Sequence, residues 1–262
     1  MRRVKVGSVD LFALVDNVIA YPASSVYPNA GDLGRFNHYL EPDGGLALNF
    51  AAFLLRDGDY VLLVDTGWGP EYNGRLLEEL GETGISPEAV SAVTFTHLHG
   101  DHTGWNIDRE SGKPLFPNAS YLVPKLDWDH YRAQGAESFI RDVAPLESFG
   151  RLELIEGEHR FSSSLLAVPT PGHTPGHTSV AIASGSERGI ILGDVVISPI
   201  DAEEPGLDNS FDWDHDIARE TRRKLLERAA TENALIGASH LPAPGLGHFV
   251  RLDSRTAWKP LP

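Results

Sequence analysis

The sequence contains no cysteine among its 262 residues. This absence excludes disulfide bonds, cysteine-ligated zinc, iron–sulfur clusters and a thiol nucleophile. Any bound metal ion must therefore be held by histidine and carboxylate side chains. The chain is well supplied with both, since it has 11 histidines and 37 aspartates plus glutamates.

Basic residues are scarce, and long apolar runs are missing. Only 22 lysines and arginines oppose the 37 acidic residues, so the formal net charge is −15. A chain this acidic repels phosphate backbones and anionic lipid, which makes nucleic acid and membrane surfaces poor partners. No apolar run approaches the roughly 18 residues of a membrane-spanning helix, and the N-terminus lacks a signal-peptide pattern. We therefore expect a soluble, cytoplasmic protein.

Short apolar runs alternate with turns rich in glycine, proline, aspartate and asparagine, which is typical of a mixed α/β chain. Strands are predicted at 4–15, 49–56, 60–65 and 92–96, with a hairpin turn at Asp57-Gly58. Further strands are predicted at 120–123, 152–155, 165–168, 178–183 and 189–192. No shift in composition suggests a linker, so we expect a single domain over residues 1–262.

Helices are predicted at 125–134 and 216–230, and two stretches have no regular pattern. In the second helix, the apolar face is formed by Ile217, Thr221, Leu225 and Ala229. The stretches 21–45 and 198–214 are predicted to be surface loops. Because a run of like charges is usually a solvated surface, the acidic residues of 198–214 are assigned no function.

Residues 97–102 read His-Leu-His-Gly-Asp-His and follow the predicted strand 92–96. The carboxyl end of a strand is where α/β sheets place their functional sites. Imidazole and carboxylate ligands suit zinc, and also iron, manganese or cobalt. Four groups in one turn cannot all bind one tetrahedral ion, and a catalytic zinc keeps an open position. We therefore expect two metal ions, with further ligands elsewhere in the chain.

Three other candidate ligands also follow predicted strands. His173 lies in Thr-Pro-Gly-His-Thr-Pro-Gly-His at 170–177, where two Pro-Gly pairs restrict the backbone. Asp194 follows the strand 190–192, and His240 follows the apolar run 234–238. A lone histidine is often only a core or surface residue, but the repetition at strand ends favours a shared metal site.

Together with Val64-Asp65-Thr66-Gly67, these motifs resemble those of the metallo-β-lactamase superfamily over nearly the whole chain. The resemblance implies a four-layer αββα sandwich with the metals at one edge between two sheets. It implies a first metal on His97, His99 and His173, and a second on Asp101, His102 and His240. Asp194 would bridge both metals together with a hydroxide. Asp65 would orient one of the ligand imidazoles.

Two stretches point to the lactonase and esterase side of this superfamily. The 240–248 stretch is similar to that of methyl parathion hydrolase, and the 170–177 element resembles that of acyl-homoserine lactone lactonases. The implied reaction is attack of the metal-bridging hydroxide on a lactone or ester carbonyl of a small molecule, with zinc the favoured metal. Asp101 or Asp194 would carry the proton to the leaving alkoxide.

One departure from the lactonase pattern is the absence of a tyrosine after Asp194, since all seven tyrosines lie at or before Tyr131. Another donor must replace it, or the substrate differs. The open alternatives are a phosphotriesterase, a thioesterase, a β-lactamase of the cysteine-free subclass, and a metal-binding module without catalysis.

The residues around the metals are harder to assign. The predicted substrate-pocket walls are Leu33, Phe36, Tyr39, Leu46, Trp105 and Phe211, although core packing is equally compatible with each. His177 and His248 are candidates to support a ligand or face the substrate. The apolar 18–27 segment could mediate a homodimer.

Overall fold

The computed structural model describes residues 1–252 and 255–262, which form two seven-stranded β-sheets. The first sheet contains, side by side in chain order, β1 (Arg2–Val6), β2 (Val9–Pro22), β3 (Gly45–Asp57), β4 (Tyr60–Val64), β5 (Ala92–Thr94), β6 (Ser120–Pro124) and β7 (Leu152–Ile155). The second contains, again in chain order, β8 (His159–Arg160), β9 (Leu165–Pro169), β10 (Thr178–Ser184), β11 (Glu187–Ile191), β12 (Leu235–Gly237), β13 (Leu246–Leu252) and β14 (Arg255–Pro260). Each sheet therefore comes from one part of the chain.

Helices connect the strands that run parallel. The neighbours β1 to β4 are antiparallel, whereas β4 to β7 are parallel and need crossover connections. The α-helices are α1 (Ala23–Val26), α2 (Leu76–Glu82), α3 (Gly100–Thr103), α4 (Lys125–Gln134), α5 (Pro145–Ser148), α6 (Pro199–Glu203) and α7 (His215–Thr231). None of the helices in the described ranges is long and apolar enough to cross a bilayer.

Alternation along the strands builds three layers of core. In β3, the side chains of Phe53 and Leu55 enter the space between the sheets, whereas Leu54 points to the opposite face. This is the period-two pattern of a strand that is buried on both sides. The predicted hairpin at Asp57-Gly58 joins β3 to β4 in this arrangement, which confirms that prediction.

Each face of each sheet is covered by apolar side chains. Between the sheets, Leu62 and Leu122 of the first pack with Val180 and Ile191 of the second. The outer face of the first sheet is covered by residues from 76–146, including Leu76, Trp128 and Val143. The outer face of the second is covered by Leu225, Leu226 and Ala229 of α7. The layers are thus helix, sheet, sheet and helix, which confirms the predicted αββα sandwich.

The helix predicted at 216–230 is present as α7, and its predicted apolar face is correct for Leu225 and Ala229 but wrong for Ile217. The buried residues are Ala218, Arg222, Leu225, Leu226 and Ala229. Ile217 is instead 39% exposed. The face is displaced because the Arg222 side chain is buried and hydrogen-bonded to the carbonyl groups of Val195 and Leu207.

Both predicted loops contain short helices, α1 in 21–45 and α6 in 198–214. α6 begins with a capping box, in which Ser198 accepts from the Ile200 N–H and Asp201 accepts from the Ser198 N–H. The Asp201 side chain is completely buried. The interpretation of 198–214 as a solvated acidic surface is therefore wrong for this carboxylate, because it satisfies buried backbone donors.

The 18–27 segment is only partly available for contact with another chain. Val18 on β2 is half-exposed, but Val26 and Tyr27 are buried, and the Tyr27 hydroxyl lies 2.9 Å from Ser198 Oγ. The homodimer and the single-domain boundary therefore stay predictions.

A close backbone approach holds the 66–69 turn against α3, and substitution of Gly104 tests it. A Cβ atom at Gly104 would lie 2.1 Å from the carbonyl carbon and oxygen of Trp68. We expect Gly104→Ala to lower the free energy of unfolding by about 3 kcal/mol, because the backbones must separate. Gly81→Ala is the control, since its Cβ meets nothing within 4 Å and a helical alanine gains up to about 1 kcal/mol. Urea unfolding measures both; equal midpoints for Gly104→Ala and wild type contradict the prediction.

Candidate metal centre

The candidate metal ligands lie on turns that leave the strands at one edge of the two sheets. His97 closely follows β5 of the first sheet, and the chain then enters α3. In the second sheet, His173 lies between β9 and β10, Asp194 follows β11, and His240 follows β12. The sandwich therefore brings together residues that are up to 143 positions apart in the chain, between His97 and His240.

The first four-residue group contains His97, His99, His173 and Asp194, whose ligand atoms all lie within 4.8 Å of one another. His99 Nδ1 is 2.9 Å from His97 Nε2 and 3.1 Å from His173 Nε2. Asp194 Oδ2 lies 3.4 Å from His173 Nε2 and 3.8 Å from His97 Nε2. Three imidazoles and one carboxylate oxygen thus surround one point.

The second group contains Asp101, His102, Asp194 and His240. Asp101 Oδ2 is 3.4 Å from both His102 Nε2 and His240 Nε2. Asp194 lies 3.3 Å from His102 through Oδ1 and 2.9 Å from His240 through Oδ2. Asp194 belongs to both groups, so one carboxylate lies between the two candidate metal positions.

The donor atoms fit two small divalent ions. Bonds of 2.0–2.1 Å in a tetrahedral site place neighbouring ligand atoms about 3.3 Å apart, and the distances in the two groups range from 2.9 to 3.8 Å. Within the part of the chain that the structure describes, two buried ligand atoms, His102 Nε2 and Asp194 Oδ1, have no hydrogen-bond partner. Buried polar atoms rarely lack a partner unless they have another role. The structure thus brings all seven predicted ligands into two groups that could hold a metal.

Hydrogen bonds behind the ligands fix which ring nitrogen faces the centre. Asp65 accepts from His102 Nδ1 at 2.9 Å, and from the N–H and hydroxyl of Thr96 at 2.7 and 2.8 Å. The Asn49 carbonyl accepts from His240 Nδ1 at 2.7 Å. In each ring, the proton on Nδ1 leaves Nε2 free to bind a metal. Asp65 is therefore placed where the prediction requires.

Two further carboxylates support the ligands or the turns that carry them, and neither was predicted. Asp212 Oδ1 lies 3.2 Å from His173 Nδ1, although it belongs to the acidic stretch that was interpreted as solvated surface. Asp127, on α4, accepts from the N–H groups of Leu98 and Gly176 and from the Thr174 hydroxyl. It therefore joins the turn of the first motif to the turn that carries His173. An isolated aspartate such as Asp127 carries no sequence signal for this role.

Burial and neighbouring charge lower the pKa of some ligand imidazoles and raise the pKa of others. Burial lowers the pKa of His97 well below its usual value, and it lowers the pKa of His99 to about 3. Burial also opposes the charged form of His102 and His240, but the Asp194 carboxylate outweighs it and raises the pKa of both. The rings beside Asp101 and Asp194 therefore hold protons that a metal ion has to displace.

His177 and three other predicted residues have roles that the structure clarifies. His177 is buried and accepts from the Asp194 N–H at 3.0 Å, so it supports a ligand and does not face the substrate. Trp105 is not in the pocket wall, because its indole N–H donates to Asp16 at 2.9 Å. His248 lies on β13 opposite Lys259, outside the cleft lining. Phe211 does line the cleft.

An apolar cleft of about 320 Å³ opens over the two groups. Its floor includes His99, Asp101, His173, Asp194 and His240, and its walls are Tyr21, Leu48, Phe50, Trp68, Ile197 and Phe211. Phe50 contacts the edge of the His240 ring at 4.8 Å and Trp68 at 4.4 Å between ring centres. The walls predicted from Leu33, Phe36, Tyr39 and Leu46 are wrong, because these residues do not line the cleft and instead belong to the apolar cluster that also contains Leu48 and Phe50.

Two His/Asp groups that share a carboxylate at the edge of an αββα sandwich define a candidate dinuclear metal protein. The chain belongs to the metallo-beta-lactamase superfamily, whose family model matches residues 51–240. The match spans all seven candidate ligands.

Similar proteins agree with this assignment. An N-acyl homoserine lactonase from Bacillus sp. is 25% identical over 238 residues, covering 80% of this chain and 88% of that protein. The structure of AidC, described as a dizinc quorum-quenching lactonase with a homoserine product, is 28% identical with a TM-score of 0.86 and covers 100% of this chain and 97% of its own. The hydrolase AbOPH is 26% identical with a TM-score of 0.87, over 99% of this chain and 96% of its own.

Metal binding is expected to release protons near neutral pH. The raised pKa values of His102 and His240 mean that these rings stay protonated to a higher pH than a free imidazole, and a metal binds only the neutral ring. Proton release therefore falls as the pH rises past those values. Calorimetric titration of the metal-free protein with zinc, in buffers of different ionisation enthalpy, counts the protons. A count of zero at pH 7 contradicts the expected charge state.

Proposed function

We propose that this protein is a hydrolase that uses two divalent metal ions, most favourably zinc, to open lactones. One observation carries the proposal: two groups of four His and Asp ligands share Asp194 on the floor of an apolar cleft. The nitrogen and oxygen donors suit zinc. The lactonases among the similar proteins, one of them described as dizinc, support both the metal and the reaction.

The chain's own carboxylates can manage the proton. Two divalent ions bound here would lower the pKa of a water molecule towards neutrality and polarise a carbonyl group. Burial raises the pKa of Asp101, but the charge of His102 outweighs it and lowers that pKa to about 2, so Asp101 is ionised at neutral pH. The Asp101 side chain is 19% exposed, compared with 3% for Asp194. Asp101 is therefore the more accessible of the two carboxylates for a proton that passes to the leaving alkoxide.

The cleft walls select the substrate by shape and polarity. Leu48, Phe50, Trp68, Ile197 and Phe211 offer only apolar or aromatic surface beside the polar floor. A site of this kind excludes water and holds an apolar substituent while the floor binds the reacting carbonyl. A lactone with an apolar side chain fits this combination of apolar walls and a polar floor better than a charged substrate does.

Tyr21 is the phenol that can replace the tyrosine absent after Asp194. It reaches the cleft wall from β2, at the register of Leu46 on β3. Burial and the charge of Asp101 raise the pKa of Tyr21, so its hydroxyl keeps the proton. A protonated hydroxyl beside the polar floor can donate a hydrogen bond to a developing oxyanion.

The experiment that tests the function is turnover of a substrate panel by the zinc-loaded protein. The panel contains N-hexanoyl-homoserine lactone, an aryl ester, paraoxon, a β-lactam and a glutathione thioester. We expect the highest kcat/KM with the lactone, loss of activity when a chelator removes the metal, and recovery on adding zinc. Asp194→Asn is expected to lower kcat about 100-fold or more, because supporting residues alone cost 10–100-fold. The control is Asp59→Asn in the exposed β3–β4 turn.

Activity that persists in the metal-stripped protein contradicts the proposal. A kcat/KM that favours paraoxon or the thioester assigns the centre to that alternative reaction. Two bound metals with no turnover of any of the five substrates support a metal-binding module.

The role of Tyr21 is tested by Tyr21→Phe, which removes only the hydroxyl. If the hydroxyl donates to the oxyanion, kcat on the lactone falls by about 100-fold while KM changes little. Tyr60→Phe is the control, because Tyr60 lies opposite Asp57 at the start of β4 and does not line the cleft. An unchanged kcat shows that Tyr21 is only part of the wall.

A further inference from the structure

The turn that carries His173 is held by a segment far along the chain. The Trp213 N–H donates to the His173 carbonyl at 3.0 Å, and the Asp214 N–H donates to the Gly172 carbonyl, also at 3.0 Å. A Cβ atom on Gly172 would lie 2.4 Å from the Cα of Ala218. Thr221 on α7 donates to the Pro171 carbonyl at 2.6 Å. Residues 212–221 therefore fix the backbone of this turn.

Asp212 extends that contact to the imidazole itself. Its side chain is 1% exposed, and Oδ1 accepts from His173 Nδ1 at 3.2 Å. Its other oxygen, Oδ2, accepts from Arg222 Nη2 at 2.9 Å. The carboxylate is thus oriented from both sides, by the candidate ligand and by a buried arginine.

Arg222 is itself immobilised by the backbone around it. Its Nε donates to the Val195 carbonyl at 2.9 Å, and its Nη1 donates to the Leu207 carbonyl at 2.8 Å. Asp201 lies 4.0 Å away and adds a second negative charge. A planar guanidinium that donates to several fixed acceptors is held in one orientation. Arg222 therefore gives the Asp212 carboxylate a rigid hydrogen-bond partner.

We propose that Asp212 is a positioning residue for the first metal-binding group. By accepting the Nδ1 proton of His173, it holds the ring in the tautomer and orientation that direct Nε2 to the metal. Arg222 fixes the carboxylate in turn. The proposal rests on the proposed function only in that it needs the metal centre, and it makes no use of the substrate.

The two metal groups differ in which carboxylate supports them. Asp65 stands behind His102 in the second group, and Asp212 stands behind His173 in the first. In the first group, the partner of His97 Nδ1 among the described residues is the Thr96 hydroxyl, at 3.1 Å. Loss of Asp212 therefore acts on the first position and leaves the second in place.

Competition between the metal-free full-length protein and a chromophoric chelator for zinc measures both binding steps. Asp212→Ala is expected to weaken one step about 10–100-fold and leave the other unchanged. Asp65→Ala is expected to weaken the other step more, because Asp65 contacts His102 directly but reaches His97 through the Thr96 hydroxyl. Asp216→Ala is the matched control, because it lies in the same segment but its side chain is 90% exposed. Anomalous diffraction from crystals of Asp212→Ala with limiting zinc is expected to show the loss at the position between His97, His99 and His173.

Unchanged affinity in both steps overturns the proposal, and so does equal weakening of both, which indicates a general loss of structure. If Asp212→Ala fails to fold by circular dichroism, Asp212→Asn decides. The amide keeps the acceptor but loses the charge, so one step is expected to weaken about 10-fold; unchanged affinity there overturns the proposal. A wild-type protein that binds fewer than two zinc ions overturns the proposed function as well. Two tight wild-type steps that Asp212→Ala leaves intact overturn only this inference.

Discussion

The buried carboxylate of Asp194 is the constraint on which the rest of the site depends. Four imidazoles surround it, with ring nitrogens 2.9 to 3.8 Å from its oxygens. A charge removed from water is tolerated only when it is paired and hydrogen-bonded or bound to metal. The fold must therefore bring the turns after β5, β9, β11 and β12 to one place and hold them there. The apolar layer between the sheets aligns the strands, and Asp127 and the 212–221 segment hold two of the turns.

The ligand set could be predicted because its signal is local. His97, His99, Asp101 and His102 occupy one short motif, and the other three ligands each follow a predicted strand or apolar run. The alternation of apolar runs and turns predicted a mixed α/β chain, the family resemblance implied the two-sheet sandwich, and the structure confirms both. The cytoplasmic location and the dimer stay predictions.

The residues that line the cleft and those that support the ligands could not be predicted from the sequence. Their positions depend on the pairing register of β2 with β3 and on which face of α7 is buried. Leu46 packs in one cluster with Leu48 and Phe50 of the same strand, but only the latter two line the cleft. Tyr21 reaches the cleft only through the pairing of β2 with β3, which shifts register between Val15 and Asn17. A signal for Asp212 did exist, since Arg222 occupies the apolar side of α7, and a buried arginine needs a buried acidic partner.

The central claim is that two metal ions share Asp194. Anomalous diffraction at the zinc absorption edge, from crystals of the zinc-loaded protein, tests it directly. The account predicts two peaks about 3.5–4 Å apart, both within bonding distance of Asp194, with one beside His173 and the other beside Asp101. A single peak, or a pair of peaks that Asp194 does not touch, contradicts it.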